Sequence, residues 1–215
     1  MARTKKTKRS YDSTRRREQA RQTRRQVLNA AGELFSELGY AGATIEIIAE
    51  KAGVAPETVY SIYGSKRGLL ARLIDVTVGG DDRSIPLLER TGPTQVLSQE
   101  NQSKQIELFA IDITNILERI APLFPILRTA ARTEPEIAEL LRELLEGRRQ
   151  NLVRFVQALA SHGPLRAGLD QQAATDLVWT LSSPEVFNLL TVDRAWPSDR
   201  FSDWLSRSLS RLLLP

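Results

Sequence analysis

Residues 44–70, TIEIIAEKAGVAPETVYSIYGSKRGLL, constrain this chain more than any other stretch. Thr44 is placed to cap a helix, its hydroxyl oxygen accepting an orphan backbone N–H. Ile45, Ile48 and Ala49 follow at i, i+3, i+4, the spacing of one buried helical face. Gly53 stops that helix, because glycine takes the left-handed conformation a helix end favours. Pro56 suits the first turn of a new helix, where a missing N–H is no loss. Thr58, Val59, Tyr60 and Ile62 continue it, Gly64 ends it, and Ser65 is placed to cap a third. Two short helices joined by a glycine-containing turn form a helix-turn-helix, a motif whose second helix fits the DNA major groove.

Charge is distributed to match. The net charge is only +4. Residues 1–80 nevertheless carry 15 Lys/Arg against 8 acids, or +7, and residues 81–215 carry 15 against 18, or −3. A basic end on a mildly acidic remainder points to a nucleic-acid partner for one part only. The first 25 residues hold 11 Lys/Arg and 2 acids with almost no apolar side chain. Packing there cannot offset ordering entropy, so residues 1–14 are expected to be a disordered basic arm touching phosphates. Arg15, Arg16 and Arg17 continue the positive stretch into the first helix. There Val27, Leu28, Ala31, Leu34, Phe35 and Leu38 make an apolar stripe that Gly39 ends.

The run Gly53-Val54-Ala55-Pro56-Glu57-Thr58-Val59-Tyr60, with Tyr63, Ser65-Lys66 and Leu69-Leu70 after it, resembles the DNA-binding domain of the tetracycline-repressor (TetR) family. So does the approach: Ala30-Ala31, Leu34-Phe35, Gly39-Tyr40, Thr44 and Ile48-Ala49. The resemblance covers residues 21–72. It implies DNA contacts from Thr44, Ala55, Pro56, Glu57, Thr58, Tyr60, Ser61 and Lys66, with Lys66 on phosphate. One departure is Ile62-Tyr63, where many members carry His/Tyr-Phe; Ile62 has no hydrogen to donate.

The rest reads as helices: 66–78, 94–119, a shorter one from Pro122 to Arg132, 134–161, 171–190 with a weak turn at Pro184, and a last one from Pro197. No period-2 strand pattern occurs. The expected fold is all-α with about nine helices. It is divided into a helix-turn-helix domain over 15–65 and an effector-binding and dimerisation domain over 66–215. The segment 106–120 is apolar nearly all round, as central helices are. In the TetR family the last two helices of each subunit pair across a two-fold axis. By that resemblance Trp179, Val186, Phe187, Leu190, Phe201, Trp204, Leu205 and Leu209 are the expected dimer interface.

Enzymatic readings fare poorly. The chain has no Cys and one His, and it lacks a Gly-rich phosphate loop, GxSxG or HExxH, so metal sites and cofactors are not expected. His162 is expected to cap a helix. Asp112, on the apolar segment, is expected either to pair with Arg119 or Arg128 or to anchor a ligand. In the family, effectors bind between the helices of the second domain. That implies a wall of Phe109, Ile113, Leu117, Leu127, Phe155 and Trp179 with Asp112, Asn115, Arg128 and Asn151 as polar anchors, which suits an apolar or aromatic small molecule. No apolar run approaches a membrane span and the N-terminus has no signal-peptide core, so a cytoplasmic protein is expected. The expectation is a homodimeric repressor on a pseudo-palindromic operator, released by an effector. An effector-free regulator or activator stands beside it, and an enzyme with a vestigial helix-turn-helix behind it.

Overall fold

The structure, a computed structural model, describes the backbone from Lys6 to Pro215 and side chains from Thr14 onward. Every regular element among the described residues is helical, as expected. The chain divides into two compact units, Met1–Leu73 and Ile74–Pro215, with the division inside the fourth helix.

The first unit holds α1 (Lys6–Gly42), α2 (Ile45–Ala52), α3 (Pro56–Tyr63) and the first half of α4 (Lys66–Gly79). The expected arm lies outside the described residues as far as residue 5. From Lys6 the backbone already belongs to α1, not to a disordered segment. Lys, Arg, Glu, Gln and Ala are good helix formers, so a solvated helical extension needs little packing. Gly39 breaks α1 as the sequence implies, with φ 69 and ψ 176. Val27, Leu28, Ala31, Leu34 and Phe35 face Ile45, Ile48, Ala49, Val59, Leu69, Leu70 and Leu73 in a closed core. Leu38 does not join the stripe; it is 49% exposed, just before the break.

The second unit contains a 3-10 turn at Leu87–Glu89, then α5 (Thr91–Ser98), α6 (Gln102–Ile120), α7 (Phe124–Ala130), α8 (Pro135–Ser161), α9 (Gln171–Leu181), α10 (Pro184–Asn188), a π-helical turn at Leu189–Asp193 and α11 (Ser198–Leu213). There are more helices than expected because two predicted ones are split. Asn101 caps α6 by accepting from Lys104 N at 2.9 Å and so separates it from α5. Pro184 starts α10, with Ser183 accepting from Val186 N. His162 is the C-cap of α8. Helix α6 is not apolar all round in its surroundings: Ile106, Phe109, Ala110, Leu117 and Ile120 are buried, but Ile111 is 46% exposed. It packs against α5, α10 and α11, and α8 against α5, α7 and α9. Phe109 and Phe155 stack between α6 and α8 with centroids 4.1 Å apart.

The C-terminal end of α4 is finished by two arginines. Arg119 donates to Thr77 O at 2.8 Å and Val78 O at 2.9 Å, and Arg90 donates to Gly79 O at 2.7 Å. Cations at a helix C-terminus satisfy orphan carbonyls and suit the helix dipole. Among the described residues, no helix is long and apolar enough to cross a membrane.

Candidate functional site

The helix-turn-helix is set by its caps. Thr44 Oγ1 accepts from Ile47 N at 3.3 Å and opens α2. Gly53, at φ 67 and ψ 36, closes α2 and turns the chain. Ser65 Oγ accepts from Gly68 N at 3.0 Å and opens α4. On α3, Val59 is fully buried and fixes the helix to the core. Its other side is open: Glu57, Tyr60 and Ser61 are exposed, Ala55 precedes them in solvent, and Pro56 and Thr58 are half-buried. Tyr60 keeps 47% of its surface. An exposed tyrosine on the outward face of a short, rigidly seated helix has no packing role.

Arg15, Arg16, Arg17, Arg21, Arg24 and Arg25 are all exposed along α1. Tyr63 ties this helix to α3 by donating to Arg24 O at 3.1 Å. Burial pushes the Tyr63 phenol up from its ordinary pKa, with Arg24 and Arg72 pulling the other way. Glu46, in the first turn of α2, is lowered by its backbone N–H and then by the Thr44 hydroxyl. Lys66 is the residue expected on phosphate. Its ammonium lies 4.2 Å from the Tyr40 ring centroid and 3.4 Å from Ala41 O, within the end of α1.

One residue that sequence reasoning passed over is Gly68. A Cβ there would stand 2.2 Å from Tyr63 O, so the turn into α4 closes only over glycine. A glycine inside a helical pattern, at about 1 kcal/mol cost, was the signal for a packing reason.

The second unit arranges the expected effector residues differently. Phe109, Leu117, Leu127 and Phe155 are core, closed by the aromatic stack. Asn115 is exposed, and Ile113 and Asn151 are half-buried. Asp112 makes no ion pair with Arg128. Its carboxylate lies over Gly92 in the first turn of α5, where an added Cβ would stand 2.0 Å from Oδ1. Burial raises the Asp112 pKa and the charge of Arg119 opposes this. Arg119 itself is spent on α4, and Arg128 on Glu185 at 2.8 Å.

Arg128 and Trp179 do come together, in a cavity of ≈ 180 Å³ lined by Phe124, Arg128, Leu145, Arg148, Trp179, Thr180, Ser183, Pro184 and Glu185. Arg148 Nη2 donates to Trp179 O at 2.7 Å and to Ser182 Oγ at 3.1 Å. Its guanidinium stacks 4.1 Å from the Trp179 ring centroid. Burial lowers its pKa to about 10, opposed by Glu185. The signal for Arg148 was present: it interrupts the apolar stripe Leu141, Leu145, Leu152, Phe155, Leu159 at helical spacing.

Four residues expected at a dimer interface lie elsewhere. Phe201, Leu205 and Leu209 have no exposed surface, and Phe187 has 6%. They face α6 and α9 as the inner stripe of α11 and its neighbour, leaving a second copy nothing of Phe201, Leu205 and Leu209 to cover and little of Phe187. Trp179, Val186, Leu190 and Trp204 are half-buried. On and beside the last helices, the large apolar side chains that stand out are Leu189, Val192 and Leu212, at 53%, 68% and 39%; Ile111 of α6 is exposed as well.

A small capped helix-turn-helix with an outward aromatic face defines a helix-turn-helix unit of the kind that enters a DNA groove. Residues 27–73 match the profile of bacterial regulatory proteins of the tetR family. Those residues form a DNA-binding domain of the tetR family of bacterial regulatory proteins. It is 38% identical over 56 residues to the transcriptional regulator UidR of Escherichia coli K12, a stretch covering 26% of this chain and 29% of UidR. It is 31% identical over 64 residues to the repressor BdcR of the same organism, covering 30% and 32%. The matched stretch thus spans about a third of these relatives. Solved structures share the whole fold. NalD of Pseudomonas aeruginosa, a repressor of a multidrug efflux pump, aligns with TM-score 0.68 at 20% identity, over 91% of this chain and 98% of NalD. FadR of Bacillus subtilis, in complex with stearoyl-CoA, aligns with TM-score 0.66 at 21%, over 86% and 96%. A regulator from Saccharomonospora viridis, in complex with choline, aligns with TM-score 0.65 at 16%, over 89% and 97%.

Proposed function

We propose that this protein is a transcriptional repressor that binds a pseudo-palindromic operator as a homodimer and leaves it when a small organic effector occupies the second unit. The outward face of α3 carries the reading: Tyr60 is 47% exposed while Val59 beneath it is sealed in the core. Tyr60, Thr58 and Ser61 supply the hydrogen-bonding groups for base edges and phosphates, and Ala55 and Pro56 the apolar contact a thymine methyl accepts. The exposed arginines of α1 supply the sequence-independent part of the affinity. A second copy is accommodated by Leu189, Val192 and Leu212, exposed apolar side chains on and beside the last helices. The structural neighbours bound to stearoyl-CoA and to choline support an effector in this unit, while their difference leaves its chemistry to this chain's own residues. Release needs only a differential affinity of the effector for two conformations.

Selection of bound duplexes from a random pool, followed by fluorescence anisotropy, tests this. The expected result is an inverted repeat bound by two protomers. Tyr60→Ala should weaken the selected site by about tenfold or more, within the roughly 1–3 kcal/mol of a good base contact, and leave random duplexes nearly unchanged. Equal loss on both, or a selected site without two-fold symmetry, would overturn it.

A further inference from the structure

The cavity between α7, α8 and the α9–α10 turn holds two guanidinium groups, Arg128 and Arg148, and one carboxylate, Glu185. Glu185 is already engaged by Arg128 at 2.8 Å. Arg148 has only neutral acceptors, Trp179 O and Ser182 Oγ, and both are taken from Nη2. Its Nε and Nη1 have no acceptor among the described residues. One positive charge is therefore left uncompensated on a half-buried side chain that stands in the apolar stripe of α8. A desolvated cation in this position favours an incoming anion, which can accept a charge-assisted hydrogen bond from the N–H groups of Nε or Nη1.

The remaining wall is apolar: Phe124, Leu145, Trp179 and Pro184 line the same space. Its ≈ 180 Å³ is below the roughly 300–1,000 Å³ of ordinary small-molecule pockets, which suits a compact ligand. The surplus positive charge also disfavours a cation. We propose that this cavity binds a small organic carboxylate with a compact aromatic or branched aliphatic body, its carboxylate held by Arg148 and its body resting on Trp179 and Leu145. The proposal deepens the effector reading above and rests on it for its regulatory meaning; the binding itself is measured without DNA.

The test is calorimetric titration of the full-length protein with propanoate, benzoate and phenylacetate, each beside its neutral amide, and with tetramethylammonium. At least one acid should bind with its amide about ten- to a hundredfold weaker, as expected for losing hydrogen bonds to a charged partner. Arg148→Met should abolish the acid-over-amide preference. An amide as tight as its acid, tetramethylammonium binding more tightly than any acid, or no binding by the whole acid series at millimolar concentration would overturn the proposal. If Arg148→Met does not fold, the acid–amide pairs on the wild type decide alone. An acid that binds but leaves operator affinity unchanged keeps the site and removes the effector reading instead.

Discussion

The unit ending at Leu73 and the unit beginning at Ile74 are held by different kinds of constraint. In the first, single backbone positions decide: Thr44 and Ser65 cap, Gly53 takes a positive φ, and Gly68 leaves room for Tyr63 O. Each demand admits one or two residue types, so it leaves a trace in sequence at a fixed place. In the second, Asn101 and Ser183 also cap and Gly92 lies under Asp112, but packing volume decides more of the structure. Phe109 against Phe155, or the inner stripe of α11, can be filled by other apolar side chains of similar total volume. The comparisons divide the same way: 38% identity to UidR within the matched segment, and only 16–21% across whole chains that keep the fold. A fold specified by volume tolerates drift in sequence; a turn specified by dihedral angles does not.

The largest effect that checks this belongs to the second unit. Phe155 is 3% exposed and stacked 4.1 Å from Phe109. Phe155→Ala should cost about 3–5 kcal/mol through lost burial and the cavity left behind. Phe155→Leu or Met, which roughly keep the volume, should cost less than about 1.5 kcal/mol. Urea unfolding of the three variants gives the numbers. Equal losses for Ala and Leu would show that this position needs an aromatic ring, and the contrast between the units would narrow.

In the first unit the sensitivity runs the other way, to addition. Gly68→Ala places a methyl 2.2 Å from a backbone oxygen and should cost about 1–3 kcal/mol as the turn is pushed apart. Gly32→Ala, with Leu73 Cδ1 the nearest atom at 3.7 Å, is the matched control in α1 and should be near neutral or stabilising. A tolerated Gly68→Ala would mean that Tyr63 O moves freely.

The same contrast explains what could be read in advance. The caps at Thr44 and Ser65, the stop at Gly53, the break at Gly39 and the outward Tyr60 follow from local rules and lie where those rules put them. The inward faces of the second unit do not. A stripe as wide as Phe201, Trp204, Leu205, Leu209 and Leu212 has no direction until its neighbours are placed, so core and interface were interchanged for Phe201, Leu205 and Leu209. The expected effector residues are scattered for a related reason: periodicity finds apolar faces, whereas the cavity that gathers Arg128 and Trp179 is marked by a charge within one, Arg148.

The smallest expected effect has the opposite sign. Gly147 lies in the interior of α8, next to Arg148, and an added Cβ would meet nothing within 4 Å. Unlike Gly68, it has no neighbour that excludes a side chain, and its backbone lies in the middle of a long helix. Gly147→Ala should therefore stabilise by about 0.5–1 kcal/mol, because alanine loses less conformational freedom on folding. A gain in the urea midpoint with an unchanged slope confirms that glycine here answers no packing need within the subunit. A loss instead would place a close backbone approach at α8 that the single subunit does not contain, and Gly147 would join Gly92 as a second-unit position where an added side chain meets a neighbour.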